Sequence, residues 1–254
     1  MTKRFRRFIF LIFIVFFVVS SIIIILFAQG YRFDFNSLKI VRTGGIFIKT
    51  STDGAKIYIN DKYVESTSGI LNYSVLIDGL APKNYNVFVY KENYYPWNKT
   101  VEVKNGMVTE LNSIILFPLE LKKIKIAELP SRLTATSSEE IISPDKNKKL
   151  YTLNNQLWID YLDGIKKELI ATYEPPINFF DWFNNSEHLI WFANGELTVA
   201  ELDNRGGKRN SIKFYLNIDS PVFWDRDNSD FYFFEKTLPA QTGAGKNTLY
   251  KIKF

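Results

Sequence analysis

The chain has 254 residues, of which 46% are hydrophobic and 23% charged, with no cysteine and a single histidine, His188. This length is sufficient for one or two domains with a buried core. The lack of cysteine excludes disulfides, cysteine-ligated zinc, iron–sulfur clusters and thiol nucleophiles. One histidine excludes most histidine-based metal sites as well. We therefore expect no metal and no cofactor.

The net charge of +5 is concentrated at the N-terminus, where residues 1–7 read MTKRFRR and contain no acidic residue. The rest of the chain is close to neutral. A nucleic-acid-binding protein spreads its basic residues over a folded surface. The charge pattern therefore predicts a membrane flank and no nucleic-acid partner.

An apolar run without a charged residue, Phe8–Ala28, follows the basic tail. As a helix its 21 residues span about 31 Å, which matches a hydrocarbon core. A cleaved signal peptide is the alternative, but its apolar region is usually shorter and ends at small residues. We therefore predict an uncleaved single-pass anchor within residues 1–30. The positive-inside rule places the N-terminus in the cytoplasm and the bulk of the chain outside it, at the cell membrane.

Short alternating or β-branched runs dominate the rest of the chain, and turn-forming clusters separate them. Strands of this length and spacing are typical of β-sandwiches and propeller-like sheets. The predicted fold class is mainly β, with an N-terminal transmembrane helix, a small β-sandwich and an incomplete β-propeller-like domain. The predicted segments are the tail and anchor (1–30), a stalk (31–43), the sandwich (44–118) and the propeller-like domain (119–254).

The predicted sandwich contains several short motifs in a fixed order. Thr52-Asp53-Gly54-Ala55 precedes the alternating strand KIYIND, and the stretches from Gly79 and Lys91 follow downstream. Together these motifs resemble the PEGA domain, a small β-rich module named after a Pro-Glu-Gly-Ala sequence. Asn84 and Asn93 stand at glycine positions of that family, and asparagine tolerates positive φ better than most residues. The resemblance implies a role in cell-surface attachment or interaction and implies no reaction.

The predicted propeller-like segment contains a weak internal repeat with offsets of 39 and 42 residues. Ser143–Tyr151 aligns with Trp182–Ile190 and with Trp224–Tyr232. A period near 40 residues is that of a propeller blade. The first copy, SPDKNKKLYT, resembles the strand-turn-strand motif of TolB-like and WD40-like propellers, with Asn147 near the usual glycine.

Three repeats are fewer than a closed propeller requires. The KIKIAEL run near residue 124 is a candidate for part of a fourth unit. Otherwise the outer sheets are expected to expose an apolar face or a strand edge. We therefore predict docking within the chain or self-association through this domain.

Aromatic side chains supply the candidate binding residues. Trp97, Trp158 and Trp191 are candidates for stacking on a ligand such as a sugar ring, with a core position as the alternative for each. Trp182 and Trp224 hold equivalent repeat positions, which favours a structural role. The predicted partner is an envelope protein or a cell-wall polysaccharide.

The sequence contains no constellation that predicts catalysis. No Gly-x-Ser-x-Gly elbow is present, and His188 is expected to be a surface or hydrogen-bonded histidine. Asp225, Asp227 and Ser229 resemble the start of a calcium loop, but the glycine and the glutamate that complete such a loop are missing. These three residues are therefore interpreted as a turn.

We predict a non-enzymatic, membrane-anchored cell-envelope protein that acts in surface binding or scaffolding. The alternative is an extracytoplasmic carbohydrate-active enzyme with a PEGA-like accessory module. Such an enzyme needs a pair of acidic residues in one cleft of the last segment. The acidic residues available there are Asp160, Asp163, Asp181, Glu187 and Asp225.

Overall fold

The structure is a computed structural model that describes residues 3–34, 38–68, 73–128, 140–164, 166–174, 177–235 and 248–254. Within these residues the chain forms one long helix and many short strands, which confirms the mainly β class. The elements in chain order are α1 (Lys3–Ala28), β1 (Tyr31–Asp34), β2 (Lys39–Arg42), β3 (Gly44–Thr50), β4 (Lys56–Ile59), β5 (Lys62–Ser66), β6 (Tyr73–Leu80), β7 (Asn84–Tyr90), β8 (Trp97–Glu102), β9 (Val108–Ile114), β10 (Ile124–Lys125), β11 (Glu140–Ile142), β12 (Lys148–Leu153), β13 (Gln156–Tyr161), β14 (Lys167–Thr172), β15 (Phe179–Trp182), β16 (His188–Ala193), β17 (Glu196–Glu201), a 3-10 turn (Arg205–Gly207), β18 (Ser211–Tyr215), β19 (Ile218–Asp225), β20 (Asp230–Glu235) and β21 (Thr248–Lys253).

The N-terminal helix α1 contains the predicted apolar run and extends into the basic tail. None of its residues is buried, and it is long and apolar enough to cross a membrane. A membrane anchor and a signal sequence share this property. The helix ends at Ala28. Two residues later Gly30 adopts a φ of 84° and donates its N–H to the carbonyl of Phe27 at 3.1 Å. Glycine is favoured at such a helix end because its positive φ carries no steric cost.

The segment predicted as a stalk forms an antiparallel hairpin of β1 and β2. Tyr31 pairs with Arg42 and Phe33 pairs with Ile40. The base of this hairpin is tied to the end of α1, because the backbone N–H and the hydroxyl of Thr43 both donate to the carbonyl of Gly30 at 2.8 Å.

The chain divides into two compact units. The first contains Met1–Val89 and Asn98–Ile115, and the second contains Tyr90–Trp97 and Leu116–Phe254. The predicted division after residue 118 thus differs by three residues from the end of the first unit. The second unit also includes Tyr90–Trp97, which lies within the segment predicted as the sandwich (44–118).

The strands that follow the hairpin form two sheets, with strand orders β6-β3-β9 and β5-β4-β7-β8. Strand β3 pairs antiparallel with β6 and parallel with β9. Strands β7 and β8 bury every second side chain, which is the pattern of a sheet with one covered face. Fully buried isoleucines and valines, including Ile46, Ile57 and Val87, form the core.

Two asparagines that replace family glycines behave differently. Asn93 adopts a φ of 65°, as predicted. Asn84 is not among the residues with positive φ, because it begins strand β7 in an extended conformation. The prediction that Asn84 adopts a positive φ is therefore wrong.

Three four-stranded antiparallel sheets make up most of the second unit. We call them the first sheet (β11-β12-β13-β14), the second sheet (β15-β16-β17-β18) and the third sheet (β10-β21-β20-β19). A buried cluster joins the first and second sheets; it includes Leu150, Leu157 and Ile159 from the first and Trp182, Leu189 and Trp191 from the second. The ring of Phe179 in the second sheet contacts that of Phe231 in the third, with centroids 5.8 Å apart.

The internal repeat corresponds to the first hairpin of each sheet, with one correction to its register. The N–H of Ser143 donates to the carbonyl of Lys148, and the N–H of Phe183 donates to that of His188. The first two copies are therefore 40 residues apart and not 39. The positive φ in the first turn belongs to Lys146, at 61°, and not to Asn147.

The KIKIAEL run is not the start of a fourth sheet. Its residues Ile124 and Lys125 form β10, which pairs antiparallel with the last strand, β21. The third sheet is thereby built from strands that are more than 100 residues apart in sequence. This long-range pairing leaves three sheets in the described part of the second unit.

Candidate functional site

The PEGA-like turn, residues Thr52–Ala55, is held by hydrogen bonds to its own neighbours. The backbone N–H of Ala55 donates to the hydroxyl of Thr67 at 2.9 Å, and that hydroxyl donates to the carbonyl of Thr52 at 3.1 Å. Gly54 supplies the positive φ of 66°, and Ala55 is fully buried. Together with Asp53, these residues shape the backbone of the turn, and Thr67 is the partner that the sequence motif does not reveal.

Two of the three candidate stacking tryptophans are buried. Trp97 is 4% exposed, and its indole N–H donates to Oε2 of Glu201 at 2.8 Å within the second unit. Trp191 is also 4% exposed, and its Nε1 has no hydrogen-bond partner within the described residues. Stacking on a ligand requires an accessible ring face, which neither residue has in this structure.

Trp158 is the candidate that retains an accessible ring. It lies in β13 directly opposite Tyr151 on β12 and Leu169 on β14, and Tyr151 and Trp158 are half-buried. Ile142, 42% exposed, belongs to the same face of the first sheet. The other face of this sheet packs in the core described above. We call this uncovered side of the first sheet, with Ile142, Tyr151, Trp158 and Leu169, the Trp158 face.

Paired polar side chains accompany the Trp158 face. Lys149 forms an ion pair with Glu140 at 3.0 Å, and Lys167 forms one with Asp160 at 3.1 Å. The hydrogen bond from Lys167 to Asp160 and the negative charge of that carboxylate raise the pKa of the lysine. Gln156 accepts the indole N–H of Trp158 at 3.1 Å and holds the ring. The face thus combines flat aromatic rings with positively charged, negatively charged and neutral hydrogen-bonding side chains.

A buried lysine links the turns of the first and second sheets. Lys148 Nζ donates to the carbonyl of Ser186 at 3.0 Å, to Glu187 at 2.9 Å and to Asp145 at 3.3 Å. Burial alone lowers the pKa of Lys148, but the two carboxylates outweigh it and raise the pKa. Burial likewise raises the pKa of Asp145, but hydrogen bonds from Ser143 and Asn147 and the charge of Lys148 bring it down to about 2.

Tryptophans at equivalent positions connect successive sheets. Trp182 ends the first strand of the second sheet, and its indole N–H donates to the carbonyl of Ile141 in the first sheet at 3.1 Å. Trp224 in the third sheet donates in the same way to the carbonyl of Trp182 at 2.9 Å. Both side chains are buried. These contacts agree with the structural role that the equivalent repeat positions of Trp182 and Trp224 favour.

The remaining sequence candidates also make structural contacts. His188 is 3% exposed, and its ring contacts those of Phe117 and Phe183 and hydrogen bonds to Asn185 at 3.0 Å. Asp225 accepts a hydrogen bond from the side chain of Asn228 at 2.8 Å within the turn of the third sheet. No cluster of metal-ligating side chains occurs among the described residues.

Several carboxylates of the second unit are engaged by cations. Asp181 is paired with Arg226, Asp160 with Lys167, and Glu187 with Lys148. Burial raises the pKa of Asp181, although Arg226 and the N–H of Trp182 oppose this rise. Asp163 lies in an exposed turn.

A cleft of about 360 Å³ lies in the first unit beside the end of α1. Its lining includes Arg32, Thr43 and Asp78 together with the main chain of five glycines, Gly30, Gly44, Gly45, Gly79 and Gly106. Sequence reasoning missed this cleft because its wall is formed by residues from four separate strands and the helix end. The glycines alone gave no signal of it.

Comparison with known proteins bears mainly on the first unit. No curated protein matched the chain. A family model matched residues 43–115, whereas the sandwich was predicted at 44–118. It covers strands β3 to β9, including the Thr52–Ala55 turn. Residues 43–115 of this chain are similar to the PEGA domain.

Proposed function

We propose that the protein is a non-enzymatic, single-pass membrane protein whose two units lie outside the cytoplasm and act in binding or scaffolding at the cell envelope. Helix α1 supports the anchor, since it is long, apolar and unburied. The four basic residues before its apolar run support a cytoplasmic N-terminus. The PEGA match supports an extracytoplasmic module.

We propose that the second unit is an incomplete propeller-like domain with three blade-like sheets. Each of its sheets is a four-stranded antiparallel sheet, which is the composition of a blade. The Trp182 and Trp224 hydrogen bonds repeat between successive sheets at a spacing of about one blade. In the third sheet an early strand, β10, pairs with the last strand, β21, as in propellers whose terminal blade is completed by the chain's other end.

The Trp158 face is the observation that carries the binding role. One face of the first sheet is covered by the second sheet, whereas the other leaves Ile142 and Leu169 more than 40% exposed. Exposed apolar and aromatic side chains interspersed with polar groups are characteristic of a binding surface. Flat rings at Tyr151 and Trp158, with hydrogen-bonding neighbours, suit the ring faces of a cell-wall polysaccharide.

The non-enzymatic role is supported by the state of the carboxylates. Asp181 and Glu187 are held in ion pairs that connect neighbouring sheets. A glycosidase needs one carboxylic acid and one carboxylate that both face the substrate. Carboxylates neutralised by structural cations are poorly suited to that task.

The binding role predicts a selective effect of Trp158. In a cosedimentation assay with insoluble cell wall from the source organism, we expect residues 31–254 to be retained. We expect the Trp158→Ala variant to lose about tenfold in affinity, since an aromatic contact of this kind contributes about 1–2 kcal/mol. The matched control is Tyr215→Ala, which removes an aromatic ring 78% exposed on another sheet.

The two variants separate a binding surface from a general loss of aromatic area. Equal affinity of Trp158→Ala and Tyr215→Ala contradicts the assignment of the Trp158 face. Self-association through the same face is measured in parallel by analytical ultracentrifugation of residues 31–254. A dimer that Trp158→Ala abolishes identifies a second copy of the chain as the occupant, and wall binding is then excluded as the role of this face.

A further inference from the structure

The hairpin of β1 and β2 carries an exposed apolar face beside the membrane helix. Phe33 and Ile40 pair directly across the hairpin and are 48% and 63% exposed. Leu38, which precedes β2, is 73% exposed. These three large apolar side chains, two on the strands and one just before β2, are costly in water, since each leaves nonpolar surface hydrated. A surface of this kind is more stable in an apolar or amphipathic environment than in water.

Basic residues flank this apolar face: Arg42 shares it, and Arg32 and Lys39 are on the opposite face of the hairpin. Arg32, Lys39 and Arg42 lie on the hairpin, and Lys39 and Arg42 are exposed. Among the described side chains, neither Lys39 nor Arg42 forms an ion pair. Asp34 is the residue paired with Lys39 across the hairpin. Exposed apolar residues next to unneutralised cations are the combination that binds the interface of an anionic membrane.

The position of the hairpin is fixed with respect to the helix end. Two residues separate α1 from β1, and Thr43 at the end of β2 is hydrogen bonded to Gly30. The guanidinium of Arg32 lies 3.3 Å from the ring centroid of Phe27 and donates to the Phe27 carbonyl at 2.8 Å. At about 3.4 Å per residue, the six residues from the helix end to the last residue of β1 reach at most about 20 Å.

The cleft beside the helix end adds a polar contact site. It is bounded by Arg32, the hydroxyl-bearing Thr43 and glycine main chain that brings backbone groups close to any occupant. Arg32 and Asp78 give it one charge of each sign. Its volume of about 360 Å³ is large enough for a phospholipid headgroup.

We propose that the β1–β2 hairpin is a second membrane-contacting element, which lies in the headgroup layer and binds anionic phospholipids. This inference rests on the proposed function, because it requires that α1 spans the bilayer. The hairpin then sets the first unit at a fixed height above the membrane. The apolar pair Phe33 and Ile40 enters the interface, and Arg32, Lys39 and Arg42 contact lipid phosphates.

The chain contains no cysteine, so a single introduced cysteine can be labelled without background. The full chain with Ile40→Cys carries an environment-sensitive fluorophore and is reconstituted into vesicles of phosphatidylcholine with phosphatidylglycerol. We expect quenching by lipids spin-labelled near the headgroup and protection from aqueous iodide. A probe at Phe16→Cys, in the middle of α1, reports insertion, and a probe at Tyr215→Cys reports full water exposure.

These probes distinguish the failure of the hairpin from the failure of the anchor. Iodide quenching at Ile40→Cys equal to that at Tyr215→Cys, with Phe16→Cys protected, overturns the inference and leaves the anchor intact. Iodide quenching at Phe16→Cys shows that α1 does not span the bilayer, and both proposals then fail.

The preference of the hairpin for anionic lipid is tested by changing the lipid charge and by removing basic residues of the hairpin. Brominated phosphatidylglycerol is expected to quench the Ile40→Cys probe more strongly than brominated phosphatidylcholine. In the Lys39→Gln/Arg42→Gln variant this preference should fall at least about fivefold. Loss of the contribution of a single basic residue, about 1 kcal/mol, already corresponds to that factor. The control pair Lys56→Gln/Lys62→Gln removes two exposed lysines from strands β4 and β5 and should leave it unchanged. Equal effects of the two pairs contradict binding of anionic lipid by the hairpin.

Discussion

Replacing Trp182 by alanine is expected to lower the free energy of unfolding of the second unit by about 3–5 kcal/mol. The side chain is fully buried between the first and second sheets and also donates to the carbonyl of Ile141. Its loss removes one of the two tryptophans of that core cluster and leaves a cavity that two packed sheets cannot close. Urea unfolding of residues 31–254, followed by far-UV circular dichroism, measures the effect.

Two further variants separate packing from hydrogen bonding. Trp182→Phe retains most of the ring but loses the indole N–H, so we expect a smaller loss that still includes about 1 kcal/mol for the hydrogen bond. Tyr215→Ala, at a site 78% exposed, should change the free energy by less than about 0.5 kcal/mol. A Trp182→Ala protein that unfolds at the same urea concentration as the parent contradicts the role of Trp182 between the sheets.

A fragment of residues 119–254 is expected not to unfold cooperatively, whereas residues 31–254 should do so. The second unit includes Leu116–Pro118 and Tyr90–Trp97, which the shorter fragment lacks. Phe117 is 4% exposed and contacts the rings of Phe183, His188 and Phe254, and Trp97 donates to Glu201. The fragment therefore exposes an aromatic cluster and leaves a buried carboxylate without this donor.

Calorimetry and size-exclusion chromatography of the two proteins test this expectation. The single variant Phe117→Ala, made in residues 31–254, is the matched control for the aromatic cluster and should destabilise the second unit by about 3–5 kcal/mol. If residues 119–254 form a soluble monomer with a sharp thermal transition, the fragment is self-sufficient and the role assigned to Phe117 and Trp97 is wrong.

Local signals predicted a large part of the fold. The apolar run gave α1, and alternating residues gave the strands of the first unit. Turn chemistry was equally informative: Asn60-Asp61, Asn154-Asn155 and Asn194-Gly195 all adopt positive φ at hairpin turns, as residues of these types do in tight two-residue turns. In the turn at Lys146 and Asn147, residue type favours Asn147 for the left-handed conformation, but Lys146 adopts it.

Non-local contacts were beyond the reach of the sequence. Trp97 and Glu201 are 104 residues apart, and no local pattern connects them. Strand β16 buries every side chain, because sheets on both sides cover it, so Trp191 is buried although strand alternation alone suggests that one face is accessible. The pairing of β10 with β21 depends in the same way on residues far apart in the chain.

The Trp158 face was predictable only in part. The sequence identified Trp158 as a candidate but gave the same standing to Trp97 and Trp191. What distinguishes Trp158 is its register opposite Tyr151 and Leu169, on the face of the first sheet that the second sheet does not cover. Neighbouring sheets decide which face of a strand is accessible, and their arrangement is set by tertiary packing.

The proposed topology has α1 as a membrane anchor and both units outside the cytoplasm. Single-cysteine variants Tyr215→Cys and Phe5→Cys, in the otherwise cysteine-free chain, are treated with a membrane-impermeant maleimide in intact cells. We predict that Tyr215→Cys is labelled in intact cells and remains in the membrane fraction after alkaline washing, whereas Phe5→Cys is labelled only after lysis. Labelling of Tyr215→Cys only after lysis, or its release as a soluble product that lacks α1, contradicts this topology.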